Sequence, residues 1–175
     1  MFEWIACHRE VITLLLTVVG GGFVFCQWRK QIRIRQTEFA YQIMKELRSC
    51  EEIAETSSRI EHGQFYYTME KFYGNRDLER KVDEFLSVLN YACYLLSNKT
   101  IGKRDFSIFR YKIVWTLKND DIQAYLWNLH HWAEFNKTPC SFQFLIDWGL
   151  HEKLFPADFL SKQCAHFQKS KLLDF

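Results

Sequence analysis

The sequence predicts an all-α protein, with an N-terminal transmembrane helix that continues into a cytoplasmic helical bundle. Three observations carry this. Two prolines and seven glycines in 175 residues leave too few breaks for a β-sandwich. Apolar residues recur at three to four residue spacing through most of the chain after residue 28. Residues 11–26, VITLLLTVVGGGFVFC, carry no charge and run directly into Trp28, Arg29 and Lys30.

The first element is that apolar stretch. At 1.5 Å per residue it covers about 24 Å of helix, short of a hydrocarbon core of about 30 Å unless the bilayer thins or Arg9 and Arg29 snorkel. Trp4 and Trp28 stand near its two ends, where aromatic anchors are expected. A cleaved signal peptide fits less well. Glu3 and Glu10 offset the positive charge of the leading residues, and no small-x-small site follows. A buried core helix fits less well too, because Gly20, Gly21 and Gly22 would each weaken a helix in water by about 1 kcal/mol. Residues 1–28 are therefore read as the transmembrane segment and 29–175 as the cytoplasmic helical domain. Arg29, Lys30, Arg33 and Arg35 outweigh Arg9 across the span, which places the N-terminus outside.

No proline or glycine occurs between Phe23 and His62, and Ile32, Phe39, Ile43, Met44, Leu47 and Ile53 keep helical spacing. One long helix is expected to end near Gly63. An aromatic-rich segment (Phe65, Tyr66, Tyr67, Phe72, Tyr73) then closes at a turn, Gly74-Asn75. Residues 78–97 form the clearest amphipathic helix, with Leu78, Val82, Phe85, Leu86, Leu89, Cys93 and Leu96 in one stripe. After a turn at 98–102, a helix over 104–117 carries Phe106, Phe109, Ile113 and Leu117. Asn119 and Asp120 cap a helix over 122–135. Pro139 interrupts the chain, Ser141 is expected to cap a helix over 142–154, Pro156 interrupts it again, and residues 158–173 are expected to form a last short helix.

Net charge is only +2, so no strong field points at nucleic acid and no DNA partner is expected. The six cysteines are scattered without CxxC spacing, which suits a reducing compartment. No glycine-rich phosphate loop, nucleophile elbow or HExxH sequence occurs. No cofactor, metal or catalytic residue is expected. His130 and His131 point about 100° apart on a helix, which does not readily aim both at one ion. Asp147 and His151, four apart, share a face and more often form a surface hydrogen bond than a metal or catalytic pair. Lys99, Lys103, Arg104, Arg110 and Lys112 make a second, looser basic group, read as a solvated face.

The candidate functional residues lie in the span. Thr13, Thr17, Gly20 and Val24 fall on one narrow helical face with Gly21 beside them, and Arg9 and Gln27 extend that face at its ends. Small and hydroxyl residues on one face of a spanning helix mark helix–helix contact. Such a face lines a water path only when several copies gather around an axis. A plain anchor, whose threonines bond their own backbone, is the alternative. The outer positions Trp4, Trp28, Arg29, Lys30, Arg33 and Arg35 form the membrane collar, with lipid headgroups as the nearest anions.

Residues 82–97, VDEFLSVLNYACYLLS, followed by Asn98, Lys99, Thr100, Ile101, Gly102, Lys103, Arg104 and Asp105, resemble the central motif of a family of bacterial single-span proteins. The layout is also similar to that of the small membrane-anchored accessory proteins of type VI-B CRISPR–Cas systems. That resemblance implies a bacterial inner-membrane protein with a HEPN-like helical domain, acting beside an RNA-guided RNase in antiviral defence. The HEPN catalytic motif is an arginine followed after four to six residues by a histidine. No such spacing occurs here, the nearest pair being Arg59 and His62. The resemblance therefore implies a degenerate HEPN scaffold without the ribonuclease centre.

The expected function is that of a non-enzymatic membrane effector. Its partners are lipid, further copies of itself, and an RNA-guided RNase reached functionally rather than by stable contact. The homo-oligomer would form a pore that permeabilises or depolarises the inner membrane. The alternatives are a divergent tethered ribonuclease using His130, His131 or His151, and a membrane-anchored docking scaffold.

Overall fold

The computed structural model describes residues 9–67 and 76–167. All regular structure in the described residues is helical: α1 (Arg9–Ser49), α2 (Glu51–Glu61), α3 (Arg76–Ser97), α4 (Lys103–Leu117), α5 (Asp120–Phe135) and α6 (Gln143–His151). The chain divides into two units, Met1–Glu38 and Phe39–Phe175. The expected boundary after Trp28 lies inside the first unit. That unit's described part is helix alone. The second holds the core.

Within the second unit α3 packs against α2, α4 and α6, and α4 packs against α2 and α5. The predicted stripe of α3 is the seam: Val82, Phe85, Leu86 and Leu89 are fully buried. Phe109, Ile113 and Leu117 meet it from α4, and Ala40, Ile43 and Leu47 come from the last turns of α1. Helix α5 is covered on most of its circumference, so its buried polar side chains need partners. Gln123 Nε2 donates to the carbonyls of Leu117 and Leu154, at 2.6 and 3.1 Å. Asn128 Nδ2 donates to Ala124 O at 2.9 Å.

The helix expected to reach Gly63 breaks at Cys50, which is extended (φ −83°, ψ 110°). Arg48 closes α1, and Glu51 and Glu52 open α2. Those charges complement the two opposed helix ends, so the break has an electrostatic signature that a search for Pro and Gly passes over. Gly63, at φ 64°, supplies the left-handed residue that stops α2. Of the aromatic segment, Phe65 and Tyr67 are buried, whereas Phe72, Tyr73, Gly74 and Asn75 lie outside the described residues.

Asn119 caps α5 as expected, accepting from Ile122 N at 3.0 Å. Ser141 does not cap α6. The N-cap is Phe142, which has no side-chain cap bond, and the partner comes from α3. Asn90 Oδ1 accepts from Leu145 N at 2.9 Å while its Nδ2 donates to Ser141 O at 3.1 Å. One amide thus holds the start of α6 against α3. Asn90→Ala is expected to cost about 1–2 kcal/mol in urea unfolding. A loss below about 0.3 kcal/mol would show that water replaces it.

Helix α6 ends at His151, not Leu154. Gly149 is needed there for close approach: a Cβ would stand 2.4 Å from the ring of Phe155 and 3.0 Å from Leu117 Cδ1. Phe155 in turn stacks on Phe159 at 4.2 Å. The last helix expected over 158–173 is not formed in its described part. Residues 157–167 instead make successive tight turns, including Ser161 N to Asp158 O and Phe167 N to Cys164 O, at 2.8 and 3.1 Å. Residues 168–175 lie outside the described residues.

Tyr125 OH donates to Asp83, joining α5 to α3. Burial raises the Asp83 carboxyl above its ordinary 3.8, and the tyrosine bond only partly offsets this. A raised folded value contributes stability in acid that is lost as pH rises through it. Asp83→Asn keeps an acceptor for Tyr125 and removes the penalty. It is expected to raise stability at neutral pH by less than about 1 kcal/mol, because water screens the half-buried group. The gain should vanish below about pH 4; thermal melts at both pH values read it.

Candidate functional site

The predicted functional face lies on α1. Thr13, Thr17, Gly20, Gly21, Val24 and Gln27 all fall within this one unbroken helix. Trp4 lies outside the described residues, as does the side chain of Arg9. Thr17 Oγ1 donates to Thr13 O at 2.9 Å, so that hydroxyl bonds its own backbone, as the plain-anchor alternative expects. A Cβ added at Gly20, Gly21 or Gly22 would meet nothing within 4 Å.

What distinguishes this helix is the apolar surface around it. Leu14, Leu16, Val18, Val19, Phe23 and Val24 are between 64 and 69% exposed, and Leu15, on the opposite side from Thr17, is 59% exposed. Residues 11–27 include no charge to offset this. At the collar, the Arg29 guanidinium lies 5.8 Å from the Phe25 ring centre, and Phe25 meets Trp28 at 5.9 Å. Such an arrangement shields apolar rings while leaving the charge accessible. Among the described residues, no helix is long and apolar enough to cross a membrane. Residues 11–26 number sixteen, against roughly 20 for an ordinary span.

A second constellation lies on α5, where the sequence reading expected divergence. His131 Nδ1 lies 3.1 Å from Glu134 Oε2, and His130 Nε2 lies 3.8 Å from Glu134 Oε1. The two imidazole rings are 5.0 Å apart, edge to face. Glu134 brings them together. At about 100° per residue it sits one turn on, about 40° from His130 and 60° from His131, angularly between them. The sequence carries this signal as HHxxE, which the adjacency of the two histidines alone does not reveal.

His131 is fully buried and packs edge to face on Trp127 at 4.9 Å. Burial pushes it below its ordinary 6.5, against the raising effect of Glu134. Glu134 is held below the usual carboxylate range chiefly by its bond to His131.

The remaining candidates are occupied otherwise. His151 is 82% exposed and lies 3.4 Å from Glu152. Asp147 accepts from Gln143 Nε2 at 2.7 Å rather than orienting His151. The looser basic group is divided: Arg110 pairs with Glu152 at 2.7 Å, while Lys112 reaches Glu61 and Ser57 on α2. A cavity of about 580 Å³ between α3, α4 and α6 is lined by Phe106, Phe144 and Trp148 together with Arg110 and His151.

Comparison with protein-family models, curated proteins and solved structures found no match.

Proposed function

We propose that the chain is a membrane-seated helical protein that acts by self-association. Residues 11–28 enter the bilayer as a short span, with the helical domain on the cytoplasmic side. One observation supports this most directly. The described large apolar side chains of α1 up to Trp28 are each more than half exposed, on all sides of an uncharged helical stretch, with Arg29, Lys30, Arg33 and Arg35 directly beyond it. Apolar surface of that extent needs cover. These residues reach both headgroup layers where the bilayer thins locally and Arg29 and Lys30 snorkel. Several copies side by side bring this about more readily than one, since oligomers relieve mismatch.

On the resemblance to type VI-B CRISPR–Cas accessory proteins, the assembly belongs to the bacterial inner membrane. There it opens a path along the face of Thr13, Thr17, Gly20, Gly21, Val24 and Gln27 when antiviral defence is triggered. It enhances an RNA-guided RNase through depolarisation, without stable contact and without enzymatic activity of its own. The test is the mass of the membrane-extracted protein by size-exclusion chromatography with light scattering. A large discrete assembly supports the reading. A monomer or dimer removes its geometric basis.

The docking scaffold is the second reading, favoured by exposed aromatic surface on α4. Tyr111 and Trp115 are 61 and 47% exposed and meet each other at 6.1 Å. Exchange of residues 11–28 for an unrelated span leaves a scaffold active and destroys a pore.

A further inference from the structure

We propose that His130, His131 and Glu134 form a binding site for a divalent transition ion of the zinc class. The donor atoms of these three residues all lie within 4.8 Å of one another. Around a tetrahedral zinc ion with bonds near 2.1 Å, neighbouring donors stand about 3.4 Å apart. The two measured distances, 3.1 Å from His131 Nδ1 to Glu134 Oε2 and 3.8 Å from His130 Nε2 to Glu134 Oε1, each lie within about 0.4 Å of that value, one carboxylate oxygen facing each imidazole. Glu134, whose side chain is half exposed, is free to turn and present one oxygen to an ion held between the two imidazoles.

The donor chemistry selects the ion. Two imidazoles and one carboxylate suit zinc, copper, nickel and iron. Calcium and magnesium require oxygen cages. His131 is fixed by burial and by its contact with Trp127, so one ligand is already oriented. The other two reach it from neighbouring positions on the same helical turn. Because all three donors belong to one helix, the ion clamps no two elements together. It is held on one side only and keeps a coordination position open toward the side where Glu134 is exposed. Three protein ligands with an open position is the arrangement that binds and activates water or takes a donor from another molecule. Lys162 contributes a positive charge to this region, acting on both His131 and Glu134. It weakens cation binding, so its removal is expected to tighten the site.

The experiment uses the full chain, stripped with a chelator and titrated with Zn²⁺ alone in a calorimeter. The expected result is one ion per chain, with affinity lowered at least about tenfold in Glu134→Gln and in His130→Gln. Lys162→Met is expected to raise it. Glu134→Gln leaves the core untouched, and its far-ultraviolet spectrum without metal should match the parent, so lost binding in that variant reads the site and not the fold. Co²⁺ substituted for Zn²⁺ should give visible absorption in the parent and not in Glu134→Gln. Absence of uptake overturns the proposal. So does uptake that survives both substitutions, which would place the ion on thiols such as Cys26 or Cys140. Because the site stands in the second unit, either outcome leaves the membrane reading unaffected.

Discussion

On the proposed reading of a self-associating membrane effector, Thr17→Leu and Gly20→Leu are each expected to abolish antiviral protection while leaving expression and membrane attachment unchanged. The structure makes these substitutions selective. A Cβ at Gly20 meets nothing within 4 Å, so added bulk clashes with no part of the chain. At Thr17 the lost hydroxyl had bonded only Thr13 O, a carbonyl of its own helix. Both changes also make residues 11–28 more apolar, which strengthens partition into a bilayer. On that reading, a loss of function comes from what the face touches in the proposed assembly. Close approach of helices depends on small residues, and a contact weakened by only about 1.4 kcal/mol lowers association tenfold. If the face lines a water path, leucine also removes its polar surface. Leu15→Ala, on the opposite side, serves as the control and is expected to retain protection. Plaque counts on cells carrying each variant, read with membrane-fraction blots, decide the matter. Full protection by both leucine variants would remove the main support for the pore.

The residues that were legible and those that were not differ in one physical respect. Local signals were read correctly. The α3 stripe from Val82 to Cys93, the Asn119 cap and the turn after Ser97 depend on residues within a few positions of each other. Tertiary substitutions for local signals were missed. The start of α6 is held by Asn90, more than fifty residues earlier in the chain, so the nearer Ser141 attracted the assignment. The ends of α3 and α5 fall at Ser97 and Phe135 as expected, whereas α6 ends at His151 rather than Leu154. Lys99, Lys137 and Lys153 adopt φ values of 57, 55 and 56° where glycine is the usual stop. Each has the same pair of closing bonds, such as Thr138 N to Ala133 O and Lys137 N to Glu134 O, at 2.9 and 3.1 Å. A lysine at that position places its charge by the negative end of the helix, and nothing in local propensity announces it. The His130, His131 and Glu134 cluster was half legible. The two histidines stand out by adjacency, whereas the contribution of Glu134 depends on its place one turn on.

Trp127→Ala is expected to cost about 3–5 kcal/mol, the largest stability loss among the substitutions considered. The side chain is fully buried and holds three things in place. Its Nε1–H donates to Ser161 O at 3.1 Å, its ring meets Phe167 at 5.9 Å, and His131 rests against it at 4.9 Å. The first two partners belong to residues 157–167, where no helix supplies a ladder of backbone bonds. That segment is instead held by tight turns and by the aromatic seat of Trp127, Phe155, Phe159 and Phe167. A cavity at position 127 therefore releases more than one contact, because the segment has little of its own to fall back on. Trp127→Phe separates the two contributions. It keeps much of the ring packing and loses the bond to Ser161, for an expected cost of about 1–2 kcal/mol. Urea unfolding gives both values. Limited proteolysis should cut residues 157–167 first in the alanine variant, before the α3 seam opens. An alanine variant within about 1 kcal/mol of the parent would mean that the segment does not depend on this seat. The link from Trp127 through His131 to Glu134 would then lose its rigid end, and the ordering of the three donors would have to come from the helix backbone alone.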